Sequence, residues 1–180
     1  MQFSANAKKV SSQSVSVDPK QITSFTDRYS FLSNFHSQGF YFIDQWVKSA
    51  EHAYQASKAS SPHDFKLILE AETPRDAREL GQKVGHASSW FENRQKIMLS
   101  ILECKFSVPN LRQMLIETDE RRLIEGNNWG DRYWGCVLED GRWVGENHLG
   151  RLLMQLRDSL VIKDSVMFPS ANTGRDLFSL

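Results

Sequence analysis

Two carboxylates stand out by what surrounds them. Glu51 lies in "SAEHAYQASKA", early in an alanine-rich segment. Asp131 lies in "GNNWGDRYWG", residues 126–135, among glycines and the aromatics Trp129, Tyr133 and Trp134. A glutamate near a helix N-terminus ordinarily complements the helix dipole. The same group, partly desolvated by close packing, becomes a general acid or base, because burial opposes the anion that the helix end favours. Asp131 also has two readings. It is either a turn aspartate bonded to its own backbone while the tryptophans plug the core, or part of a cleft floor. In a cleft the aromatic faces would stack on a base, and Asp131 would meet a sugar hydroxyl or a water.

Other residues could hold a ligand beside these two. "RYSFLSNF", residues 28–35, sets Asn34 among Phe31, Leu32 and Phe35, an odd place for an amide unless its hydrogen bonds are specified. Asn147 and Gly150 in "GENHLG" precede a helix whose free N–H groups could receive a phosphate, although plain capping by Asn147 is the simpler account. Arg28, Lys58 and Arg78 are candidate phosphate partners that, taken singly, also suit a surface. The histidines do not cluster. Glu51–His52 lacks the second histidine of a zinc-hydrolase helix, and Cys104 and Cys136 share no metal spacing. No Walker loop, dinucleotide fingerprint or nucleophile elbow occurs. What remains is a metal-free, cofactor-free site of carboxylates and aromatics.

The elements that must position these groups are mostly helical. Phe40 to Ile43 alternate as a short strand before Trp46. Ser49 suits the N-cap of a helix over residues 50–59, with Ala50, Ala53, Tyr54 and Ser57 as its close-packing face and Glu51, Gln55 and Lys58 as a polar line beside it. "TPRDARELG" starts a second helix, in which Thr73 and Asp76 have capping-box spacing and Pro74 suits the first position. Ser89 and Glu92 repeat that spacing before a long amphipathic helix marked by Ile97, Met98, Ile101 and Leu102. Asn110 is placed to cap a short helix over "LRQMLIET". After the glycine-rich segment, Trp143–Val144 returns as a strand. Leu149, Leu152, Leu153, Leu156 and Leu160 then stripe a final helix capped near Asn147.

The bulk properties suit one domain, since 180 residues can bury a sizeable core. Lys plus Arg equals Asp plus Glu at 22 each, so no global charge recruits nucleic acid or an anionic membrane. No apolar run is of membrane-spanning length, the start lacks a signal-peptide core, and two cysteines fit a reduced cytoplasmic protein. Residues 1–22 read as an N-terminal arm, 23–163 as the domain and 164–180 as a C-terminal tail.

Taken together, the segments resemble the NADAR family, or YbiA-like superfamily. The resemblance rests on "YSFLSNF" (29–35), "SAEHAYQASKA" (49–59), "DAREL-G" (76–81), Trp90 with "KIM" (96–98) and "KF" (105–106). "LIEGNNWGDRYWG" (123–135) and "N-LG-LLM-LR" (147–157) complete it. It implies a single α+β domain, predominantly helical with a small β element. It also implies hydrolysis of an N-glycosidic bond at a ribose carbon. Members of the family act on phosphoribosylaminopyrimidine intermediates of riboflavin synthesis, and others remove ADP-ribose from guanine in DNA. The implied partners are thus a small ribosyl phosphate or ADP-ribosyl substrate, or ADP-ribosylated nucleic acid. Carried over, the family's catalytic glutamate falls on Glu51, its "WGD" aspartate on Asp131 and its pocket aromatics on Trp90 and Trp134. This chain departs from the pattern in "CVLEDGRWVGEN", which is longer and bears Trp143. A non-catalytic ADP-ribose or nucleotide reader using the same pocket is the reading from a different class.

Overall fold

Local capping chemistry starts the helices where the sequence asks for them. Ser49 accepts the His52 N–H at the start of α1 (Ala50–Ala56). Thr73 and Asp76 exchange both bonds of a capping box ahead of α3 (Pro74–Gly81), with Pro74 in its first turn. Between them lies α2 (Pro62–Glu70), which the apolar pattern does not announce. Its signal is instead Ser61, whose side chain accepts the Asp64 N–H, followed by Pro62. The expected helix over residues 50–59 stops at Ala56, because α2 must turn back across it.

The computed structural model describes residues 18–167. Of the arm expected over residues 1–22 and the tail expected over 164–180, residues 1–17 and 168–180 lie outside the described residues, and residues 21–22 form a strand. Residues 164–167 continue the last helix. The remaining helices are α4 (Trp90–Lys105), α5 (Pro109–Ile116) and α6 (His148–Met167). Two capping expectations are corrected. Ser89 makes no side-chain cap bond. Asn110 lies inside α5 and pairs with Gln38 at 3.2 Å, since Pro109 already supplies the helix start.

Strands are short and serve as clamps. β1 (Gln21–Ile22) runs parallel to β4 (Arg122–Leu123). β2 (Phe40–Phe42) and β3 (Gln45–Val47) form a hairpin whose two turn residues, Ile43 and Asp44, both have positive φ. That is the conformation a two-residue hairpin loop requires, although it usually falls to Asn or Gly. β5 (Gly126–Asn127) pairs in parallel with β6 (Cys136–Glu139), which returns antiparallel through β7 (Arg142–Val144).

The core forms where α4 crosses α1, α6 and β2. Met98, Ile101 and Leu102 of α4 share one buried cluster with Leu149, Leu153 and Leu156 of α6 and Leu111 and Leu115 of α5. Each fully buried side chain of this size contributes about 1.5–3 kcal/mol. One position of the α4 stripe is unexpected. Lys105 occupies the seventh residue after Met98, is wholly buried, and donates its ammonium to the Ser33 carbonyl at 2.7 Å. Among the described residues no helix is long and apolar enough to cross a membrane.

Candidate active site

The site begins at the N-terminus of α1. The Glu51 N–H, one of the donors that a helix start leaves unpaired, gives its bond to the Asn34 carbonyl at 2.9 Å. This ties the corner after the 3-10 helix (Asp27–Leu32) to the first turn of α1. The corner is held from beneath by α4 as well, because Lys105 bonds the Ser33 carbonyl and the Asn34 side chain contacts the Met98 sulfur. Asn34 Oδ1 is buried without a partner among the described residues.

The polar line of α1 does not face solvent as its spacing alone suggests. Glu51 and Gln55 are buried, and with Tyr54 and Lys58 they line a cavity of about 540 Å³. Gln55 Nε2 donates to Glu51 Oε1 at 2.7 Å, which leaves Gln55 Oε1 buried and unpaired. The packing of α3 on α1 permits this. A Cβ on Gly81 would lie 2.2 Å from Gln55 Oε1, so only glycine lets the two helices meet there. Burial pushes the Glu51 carboxyl above its ordinary range. The Gln55 amide, Arg78 and Lys58 act against that rise, and Asp131 adds to it. Burial also lowers the Lys58 ammonium, with Glu51 pulling the other way. Tyr54 is pushed up, first by burial, so its phenol stays a neutral donor.

The opposite wall comes from the chain between β4 and β6. Asp131 is indeed a turn aspartate, since its Oδ1 accepts the N–H groups of Tyr133 and Trp134 at 3.0 and 2.9 Å. It lines the cavity all the same, so the two accounts of this residue are compatible. Asn127 fastens the loop by accepting the Asp131 N–H and donating to the Asp131 and Cys136 carbonyls. Trp134 is half-buried on the wall and stands edge-on to Tyr54, with ring centroids 5.4 Å apart. Trp129 does not plug the core; it is 59% exposed at the mouth. Gly126 is backed by Trp143, whose ring a Cβ there would meet at 2.6 Å, so the longer β6–β7 segment buttresses this wall from outside.

Two cations and an amide come from α3 and the residue that caps its end. Arg75, Arg78 and Gln82 recur at helical spacing and line the cavity together. Of the residues singled out in the sequence, Glu51, Asp131, Asn34, Phe35, Lys58, Arg78 and Trp134 share this one cavity. Three do not line it. Arg28 is exposed and stacks on the Tyr29 ring at 4.5 Å, because the 3-10 helix turns it outward. Trp90 is buried behind Tyr54, 5.0 Å between centroids, and fills core rather than facing a ligand. Asn147 is buried too. Its amide accepts the Glu125 N–H at 3.0 Å and donates to the Leu123 carbonyl at 2.9 Å, so it neither caps with its side chain nor offers a phosphate site.

Sequence reasoning missed Arg75, Gln82 and above all Glu125. Glu125 lines the cavity, its Oε2 is buried without a partner among the described residues, and its pKa is pushed up to about 8, first by burial and then by Asp131. Its one sequence signal is a carboxylate following the buried pair Leu123–Ile124 and directly preceding Gly126.

Comparison with known proteins bears on the family and the fold. The NADAR domain matches residues 21–161. An N-glycosidase of Nostoc punctiforme is 32% identical over 138 residues, covering 73% of this chain and 86% of that protein. N-glycosidase YbiA of Escherichia coli is 29% identical over 143 residues, with 78% and 87% covered. A riboflavin biosynthesis protein of Vibrio vulnificus is 31% identical over 140 residues, which span 74% of this chain but 36% of that longer protein. The NMR structure of Escherichia coli YbiA superposes with a TM-score of 0.71 at 28% identity, covering 82% of this chain and 89% of that one. The helical α+β architecture, with its small strand clamps around one carboxylate-lined cavity, is therefore the YbiA-like fold, and the chain belongs to the NADAR domain family.

Proposed function

We propose that the protein is an N-glycosidase that hydrolyses the bond between C1 of a phosphorylated ribose and the nitrogen of an aminopyrimidine. The observation that carries this reading is the single cavity in which Glu51, Glu125 and Asp131 meet the aromatic rings of Tyr54, Trp129 and Trp134 and the cations Lys58, Arg75 and Arg78. A volume of about 540 Å³ suits a small nucleotide-like ligand. The relatives named as N-glycosidases supply the reaction class. Relatives named for riboflavin biosynthesis, in Vibrio vulnificus and Zea mays, favour a metabolite over ADP-ribosylated guanine. Two buried acceptors, on Asn34 and Gln55, have no donor among the described residues, which suits a ligand rich in hydroxyl and amino hydrogens.

Departure of the base builds positive charge on the ribose ring, which a nearby carboxylate stabilises. Glu51 is the acid/base group at C1, held in place by Gln55 and by its own helix start. Asp131 keeps Oδ1 on the loop backbone and turns its other oxygen to a ribose hydroxyl. Trp134 and Trp129 sandwich the sugar or base and exclude water, and Arg78, Arg75 and Lys58 hold the phosphate. The test is product release followed by chromatography. Phosphoribosylaminopyrimidine should yield free pyrimidine and ribose 5-phosphate. Release of ADP-ribose from an oligonucleotide carrying ADP-ribosylated guanine would reassign the substrate. Tight ADP-ribose binding with no product from either would make the protein a reader.

A further inference from the structure

Glu125 is placed as no other acid in the cavity is. Its backbone is clamped on both sides, the N–H by Asn147 and the carbonyl by the Cys136 N–H at 2.9 Å. Glu125 therefore lines the cavity from a segment fastened on both sides. Its Oε2 lies over the bare Cα of Gly135, where a Cβ would come within 2.0 Å, and no group among the described residues bonds to it. The charged groups that face it are Asp131 on the neighbouring loop and Glu51 on α1, both of its own sign, and Arg78 on α3. The Cys136 thiol on β6 lies alongside.

Glu51 is the contrasting case. It accepts the Gln55 amide and has two cations, Arg78 and Lys58, in range. When carboxyls crowd one cavity they do not all ionise, and the proton stays on the one with least support. By hydrogen bonds and nearby cations that one is Glu125, whose Oε2 has no donor among the described residues while Glu51 accepts the Gln55 amide.

Resting on the N-glycosidase reading of this pocket, we propose that Glu125 is the proton donor to the departing base, which leaves Glu51 to activate the water. As the C1–N bond breaks, its electron pair passes to nitrogen, and the Glu125 proton goes to that pair and completes an N–H. A water oxygen bonds to C1 and gives its proton to the Glu51 carboxylate. One proton then passes from Glu51 through solvent to Glu125, and the net reaction is addition of one water across the bond.

The experiment compares the wild-type chain with Glu125→Gln on the base-bearing substrate and on an activated aryl riboside 5-phosphate, whose leaving group departs without a proton. On the base-bearing substrate the variant should lose about 10²- to 10⁴-fold in kcat and lose the fall in rate at alkaline pH. On the aryl riboside it should keep most of its rate, a split that a merely structural role would not produce. Equal losses on both substrates, or none on either, would overturn the proposal. A wild-type chain that cleaves no ribosyl substrate would instead bring down the N-glycosidase reading, and the donor role with it. An infrared readout is independent of turnover. The carbonyl band of a protonated carboxyl should be present at pH 7 in the wild type and absent in Glu125→Gln, and its absence from both would also overturn the assignment.

Discussion

Glu51 is a carboxylate pulled in two directions, and the balance decides its chemistry. Burial raises its pKa, while Gln55, Arg78 and Lys58 favour the anion. Replacement by Gln keeps the shape and loses the proton-accepting oxygen. Glu51→Gln should therefore bind substrate with little change and turn over about 10²- to 10⁴-fold more slowly, as single-turnover kinetics beside ligand titration will show. Undiminished turnover would remove Glu51 from the mechanism. Short-range context marked Glu51 as a candidate beside the ordinary account of a glutamate complementing a helix dipole, and it was the family resemblance that attached a catalytic role to it. Glu125 was not readable in this way. What singles it out is a missing hydrogen bond and the approach of Asp131 and Glu51, and no local spacing encodes either.

At the scale of elements, the two tryptophans attributed to the pocket part company. Trp90 opens α4 and is 3% exposed behind Tyr54, whereas Trp134 lines the cavity. Trp90→Ala should cost about 3–5 kcal/mol of stability, seen as a lower urea midpoint. Trp134→Ala should raise KM with a smaller loss of stability. The opposite pattern would exchange their roles. The same scale shows what helix signals can and cannot say. Thr73 and Asp76 form the box their spacing announces, but Ser89 and Glu92, spaced alike, leave the Ser89 side chain without a cap bond. Spacing permits a cap, and the backbone angles of the residue before the helix decide whether it closes. Asn147 shows the same limit, for β4 and Glu125 claim the side chain that would otherwise cap α6.

For the whole molecule, two buried titratable groups set opposing slopes in stability against pH. Glu125 has a folded pKa of about 8 against an ordinary 4.5, so the folded state holds more protons in that interval and stability falls as pH rises through it. Lys105 is pulled down to about 7 from 10.5 by burial alone. Between those values the unfolded chain holds the extra proton, so stability rises with pH; below pH 7 the charged ammonium is buried at full cost. Lys105→Met, which keeps the apolar stripe of α4, should flatten the rise between about pH 7 and pH 10.5 in urea midpoints and stabilise the protein at neutral pH. An unchanged pH profile would mean that Lys105 is charged in the fold. In the wild type its ammonium holds the Ser33 carbonyl, in the corner whose Asn34 carbonyl accepts the Glu51 N–H.

What the sequence by itself determined is local: the helix starts at Ser49 and Thr73, the apolar stripes of α4 and α6, and the chemical types gathered in "EHAYQA" and "GNNWGDRYWG". Those follow from forces that act within one or two turns of chain. Only the tertiary structure decided which groups share the cavity. It brought the Asn34 carbonyl to the start of α1, set Gly81 against Gln55, turned Arg28 away and delivered Glu125 beside Asp131. The physical reason is that burial and the proximity of charge are properties of segments distant in the chain, fixed only when helices and strand clamps close around one space.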